Sequence, residues 1–183
     1  MGEKVIFAPK TLKIKGGEIL IRLLREEDGL QLALEEQAQG WGTTTEKFET
    51  RLRDFANGKC VPLCADLEEK PVGYINLYKK AGGPFSGTNW PYIVDFAVLE
   101  RVRGRGIGTA LMDAAEALAA EASDTVCLGV GLHSGYGAAQ RMYVLRQYVP
   151  DGSGVWYNGR VWEQYAPCVN DDELVLYLSK KLK

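Results

Sequence analysis

One histidine and four cysteines are all that 183 residues offer toward a structural metal or a disulfide frame. The cysteines (Cys60, Cys64, Cys127 and Cys168) show no zinc-type spacing, and His133 stands alone. No metal site is therefore expected, and the cysteines read as reduced thiols of a cytoplasmic protein. Long apolar runs are missing too: none approaches the ~18 residues of a membrane span. The opening residues, MGEKVIFAPK, lack the apolar core of a secretory signal. There is no excess of one charge. The 22 basic and 24 acidic residues leave a formal net charge of −2, so no nucleic-acid partner is expected. No repeat, low-complexity tract or linker interrupts the chain, which reads as a single domain over 1–183 with its core at about 18–178.

What is present is an ordinary globular composition, 46% hydrophobic and 25% charged, organised around residues 93–118. Ile93, Val94, Phe96, Ala97, Val98 and Leu99 form a strand-like apolar run broken only by Asp95. Ile107, Leu111, Ala114 and Leu118 then recur at helical spacing. Between them lies Arg103-Gly104-Arg105-Gly106-Ile107-Gly108-Thr109. Glycines cost backbone entropy there, and Arg101, Arg103 and Arg105 sit at the positive end of the helix dipole. Both penalties disappear if an anion binds, because glycines admit a close backbone approach and the first helical amides point outward. The junction therefore reads as a diphosphate cradle. It is not the dinucleotide pattern G-x-G-x-x-G, which fails at Thr109 counted from Gly104 and at Leu111 counted from Gly106. Nor is it a P-loop, since Thr109 and Ala110 follow Gly108.

Punctuation and periodicity give the remaining elements. Strands are expected over Glu18–Leu24, Cys60–Leu67, Val72–Tyr78, Thr125–Val130, Val155–Tyr157 and Glu173–Leu178. Helices are expected over Leu30–Ala38, Glu46–Ala56 and Ala138–Gln147. Residues 1–17 read as a variable lead-in, and Pro150–Gly154 as a turn. A mixed α/β sheet with helices on both faces satisfies this order.

Arg103, Gly106 and Gly108 spell R-x-x-G-x-G between a strand and a helix. The stretch resembles the acetyl-coenzyme A motif of the GCN5-related N-acetyltransferases (GNAT), whose element order is also the one expected here. The resemblance implies that Arg103, Gly104, Arg105, Gly106, Ile107, Gly108 and Thr109 hold the coenzyme A pyrophosphate. It also implies that Phe96, Ala97 and Val98 pair with the pantetheine arm. The implied fold is a single-domain mixed, mostly antiparallel sheet. The implied activity is transfer of acetyl from acetyl-coenzyme A to a primary amine by direct attack on the thioester.

A second match is A-x-x-L-Y, present as Ala139-Gln140-Arg141-Met142-Tyr143, with Gln147-Tyr148 where the family has Gly-Phe and Tyr136 where it often has asparagine. The resemblance makes Tyr143 the general acid for the departing thiolate. A phenol with its ordinary pKa near 10 is protonated at neutral pH. The expected apolar stripe of that helix is Ala138, Met142 and Leu145, with Tyr143 at its edge. Two residues are candidates for the base that deprotonates the amine: Asp95 on the central strand and His133 after the next strand. Strand alternation places Asp95 with Ile93 and Ala97 unless a bulge intervenes.

The family's acceptor sites draw on the connection between the first two helices and the loop before the last strand. Here these are Gln39–Thr44, with Trp41, and Asn158–Asp172, with Trp162, Glu163, Tyr165, Asp171 and Asp172. Aromatic and acidic groups suit a cationic small-molecule or peptide amine. A homodimer is an open alternative to a monomer. A non-catalytic acyl-coenzyme A sensor on the same fold is one rival reading. A dinucleotide oxidoreductase is the other, weakened by the absent third glycine.

Overall fold

The structure, a computed structural model, describes residues 7–183. The elements in chain order are β1 (Lys10–Ile14), β2 (Gly17–Leu23), α1 (Glu26–Ala38), α2 (Thr45–Ala56), β3 (Cys60–Leu67) and β4 (Lys70–Tyr78). Then follow β5 (Tyr92–Val98), α3 (Ile107–Ala122), β6 (Thr125–Gly131), α4 (Gly137–Leu145), β7 (Val149–Tyr157), β8 (Arg160–Val161) and β9 (Leu174–Lys181). They form two compact units, one of residues up to Tyr78 with Val94–Leu118, the other of Lys79–Ile93 with Ala119–Lys183. The class is the mixed, mostly antiparallel α/β architecture expected from the sequence.

In the first unit the strand order is β1-β2-β3-β4-β5. Every residue of β3 is buried, so it reads as one apolar run rather than an alternation. Leu24, Leu32, Ala33, Phe48, Cys64 and Tyr74 make the core beneath α1 and α2. Helix α1 begins at Glu26, four residues before its apolar periodicity. Glu26, Glu27 and Asp28 favour the positive helix end, and the Asp28 carboxylate accepts the Arg25 N–H at 2.7 Å. Buried Arg22 locks that turn in place. Its guanidinium donates to Asp28 at 2.6 and 2.8 Å and to Asp66 at 2.6 and 2.7 Å. Asp28, Cys64 and Asp66 converge as metal-type ligands would, and Arg22 already bonds both carboxylates. Removing one partner would strand a buried charge, at a cost of roughly 3–5 kcal/mol.

The lead-in carries more structure than the sequence suggested. Lys10–Ile14 is β1, paired with β2 from Lys10↔Ile21 to Ile14↔Gly17. Its residues are nearly all exposed, so apolar periodicity could not reveal it.

In the second unit the order is β5-β6-β9-β7-β8. The parallel pairing of β5 with β6 covers Tyr92↔Cys127 and Ile93↔Leu128. β6 and β9 pair antiparallel over seven positions, from Thr125↔Lys181 to Gly131↔Val175. The expected turn at Pro150–Gly154 lies inside β7, which continues through a register shift between Pro150 and Val155. Helix α4 also departs from its expected stripe. Ala138 and Leu145 are exposed, and Tyr143 is the buried residue. The inward face is therefore Ala139 and Tyr143, four residues apart, because the ring rather than Leu145 fills the space and packs, tilted, against Tyr148 with ring centroids 5.7 Å apart.

Candidate active site

The glycine–arginine junction folds as a loop that opens α3. Gly104 and Gly106 have φ of +73° and +96°, conformations that side chains disfavour. A Cβ at Gly104 would meet nothing within 4 Å, and one at Gly106 only Ile14 at 3.9 Å. The first in-helix bond runs from the Ala110 N–H to the Gly106 carbonyl at 3.0 Å, so the amides of Ile107, Gly108 and Thr109 precede the ladder. This is a backbone able to receive an anion.

The arginines are engaged rather than loose. Arg101 donates to both oxygens of Glu35 at 3.0 and 3.1 Å. Arg103 donates to the Val98 carbonyl at 3.1 Å, pairs with Glu100 and lies 5.4 Å above the Trp41 ring. Arg105 donates to the carbonyls of Lys15 and Gly16 at 3.0 and 2.7 Å. The β1–β2 hairpin is thus tied to the loop, and Trp41, placed by sequence among acceptor-side residues, lies under Arg103. Partners 62 and 90 positions away explain why local reading missed both.

Strand β5 carries the residues expected to meet the pantetheine arm. Phe96, Ala97 and Val98 are half-buried. Asp95 has φ of +50°, so the alternation that grouped it with Ala97 breaks at this residue. Its Oδ2 accepts from Arg51 Nε at 2.8 Å and from Arg51 Nη2. Both bonds fall on Oδ2, so a base role would fall to Oδ1.

In the second unit, Tyr143 is 5% exposed, and burial pushes its phenol above the ordinary range, with Tyr136 adding to the effect. His133 uses both ring nitrogens. Nδ1 accepts the Gly135 N–H at 3.1 Å, which fixes the tautomer, and Nε2 lies 3.0 Å from Asp172 Oδ1. Tyr136 donates to the same Asp172 oxygen at 2.9 Å. These bonds hold the Asp172 carboxyl below its usual range, His133 contributing most. Trp162 packs on Tyr157 at 5.0 Å and under Arg160 at 4.9 Å. Tyr165 is exposed. Asp172 and Trp162, read from sequence as acceptor contacts, thus have partners within their own unit.

No curated protein matches the sequence. Solved structures match at the level of the fold. Ribosomal-protein-alanine N-acetyltransferase from Brucella melitensis is 18% identical, with a TM-score of 0.63, over 88% of this chain and 98% of that one. An N-acetyltransferase from Staphylococcus aureus is 15% identical, with a TM-score of 0.65, over 90% and 99%. RimJ of Mycobacterium smegmatis, in complex with CoA-disulfide, is 13% identical, with a TM-score of 0.64, over 94% and 86%. The model of the acetyltransferase (GNAT) family matches residues 26–146, a span that includes β5, the glycine loop and Tyr143. On that match, the chain belongs to the acetyltransferase (GNAT) family.

Proposed function

We propose that the protein is an acetyl-coenzyme A-dependent N-acetyltransferase acting on a primary amine. The observation that carries this is the loop at Arg103–Thr109, where two left-handed glycines and three leading helix amides present open backbone. In this reading the loop amides hold the diphosphate and the Phe96–Val98 backbone lies along the pantetheine arm. Bound acetyl-coenzyme A supplies the activated thioester. Tyr143 holds the proton that the departing thiolate takes; a phenol is protonated at neutral pH, and burial raises this one further. Asp95, through Oδ1, and His133, after giving up a partner, remain the candidate bases, with water or the acceptor's own ionisation as the alternative. The name of the Brucella melitensis neighbour adds peptide α-amines to the acceptors worth assaying beside small amines. The non-catalytic sensor reading is favoured by one observation, that Asp95 and His133 are both engaged.

Acetyl-coenzyme A is expected to raise the melting temperature and to bind in calorimetry. Gly106→Glu, checked for folding by circular dichroism, is expected to abolish both effects, because a carboxylate would occupy the diphosphate's approach. Equal stabilisation of the folded variant would remove the loop from cofactor binding. Free-thiol release across an amine panel separates transferase from sensor.

A further inference from the structure

Asp95 of β5 is left-handed, and two residues grip it from different directions. Arg51 of α2 holds the side chain, donating to Asp95 Oδ2 from Nε at 2.8 Å and also from Nη2. The same guanidinium donates from Nη1 to the Tyr78 hydroxyl at 2.6 Å, and Tyr78 donates to Asp54 at 2.7 Å. This braces Arg51 against β4 and its own helix. Asn76, a buried residue of β4, holds the main chain. Its amide donates to the carbonyls of Val94 and Asp95, both at 3.3 Å. A residue that departs from strand geometry is kept so by its surroundings, and here the surroundings are these two side chains. The kink comes directly before Phe96, Ala97 and Val98. Its angle sets the direction in which their backbone groups point.

We propose that Arg51 and Asn76 are positioning residues for the coenzyme's pantetheine arm, acting through the left-handed backbone of Asp95. The inference rests on the proposed acetyl-coenzyme A reading and adds to it. The glycine loop receives the diphosphate, and the Arg51–Asp95–Asn76 clamp aims the strand for the arm.

The two contributions separate by ligand. The probes are acetyl-coenzyme A and its nucleotide fragment, 3′-phosphoadenosine 5′-diphosphate, which lacks the arm. Arg51→Met is expected to weaken acetyl-coenzyme A by ~10-fold while leaving the fragment within about twofold. Asn76→Leu is expected to do the same in the same direction. Glycine adopts positive φ without a side chain to hold, so adding Asp95→Gly to Arg51→Met is expected to recover most of the lost affinity. Arg51→Lys, which keeps the charge but not the fork, is expected to fall between. Equal weakening of both ligands would mark Arg51 as a general structural residue and overturn the proposal. Unchanged affinity for both, or a double variant no better than Arg51→Met, would overturn it as well. Wild-type protein that binds neither ligand would defeat the acetyl-coenzyme A reading itself, and this inference with it. Wild-type binding with indifferent variants defeats the inference alone.

Discussion

Tyr143 is a packing residue to which the proposed reading adds a chemical role. Its ring fills the inner face of α4 while its neighbours Val144 and Leu145 are 65% and 67% exposed. Burial raises the phenol, so it stays protonated at neutral pH but gives up its proton less readily than a free tyrosine. A thiolate leaving group with an ordinary thiol pKa near 8.5 needs only modest help. Tyr143→Phe is therefore expected to keep coenzyme affinity and to lower kcat by ~10–10³, nearer the low end. The measurement is kcat under conditions where chemistry limits the rate, with any amine that supports thiol release. An unchanged kcat would leave Tyr143 as a packing residue. The A-x-x-L-Y match at Ala139–Tyr143 made this residue a candidate in the sequence. The partners of Asp95 and His133 were not, since Arg51 and Asp172 lie 44 and 39 positions away in the chain.

At the scale of the element, β5 is shaped by what lies beneath it. Gly73 of β4 approaches so closely that an added Cβ would stand 2.9 Å from the Ala97 carbonyl oxygen and 3.2 Å from Val98. Backbone cannot yield as a flexible side-chain tip would. Gly73→Ala is expected to destabilise the protein by ~1–3 kcal/mol in urea unfolding and to weaken acetyl-coenzyme A binding. An unshifted urea midpoint would mean that β5 moves aside freely. Residues such as Gly73 carry no sequence signal, because the demand for a missing Cβ comes from a strand 24 positions on. The strand–loop–helix unit at 93–118 was readable because its cause is local: an apolar run, glycine punctuation, then helical periodicity. β1 was not, because five mostly exposed residues gain their strand geometry from pairing with β2. The turn residues at Pro150–Gly154 signalled a break in the chain's direction, and the structure uses them as an irregularity inside β7.

At the scale of the whole molecule, the buried and half-buried thiols and phenols dictate a lopsided pH profile. Burial pushes the Cys60 thiol to about 11 and the Cys127 thiol to about 12. Burial also raises the phenols of Tyr74, Tyr78, Tyr143 and Tyr177. Each of these groups keeps its proton in the fold at a pH where the unfolded chain has lost it. Their contribution is fully present below the unfolded values, ~8.5 for thiols and ~10 for phenols, and is lost as pH rises through the folded values. On the acid side the order reverses. Asp54 is held below its ordinary range chiefly by the Tyr78 hydroxyl, and Asp172 chiefly by His133. Their contribution is present above the usual carboxylate value and fades only as pH falls through the lowered ones. The expected urea midpoint is flat between about pH 5 and 8, declines from about 8.5, and falls more steeply above about 10. Cys127→Val should flatten the first part of the alkaline decline, where only thiols titrate in the unfolded chain. Tyr143→Phe should flatten only the later part, since phenols begin to ionise there. A midpoint that stays level from pH 7 to 11, or a Cys127→Val slope identical to wild type, would show that these buried groups shed their protons together with the unfolded chain.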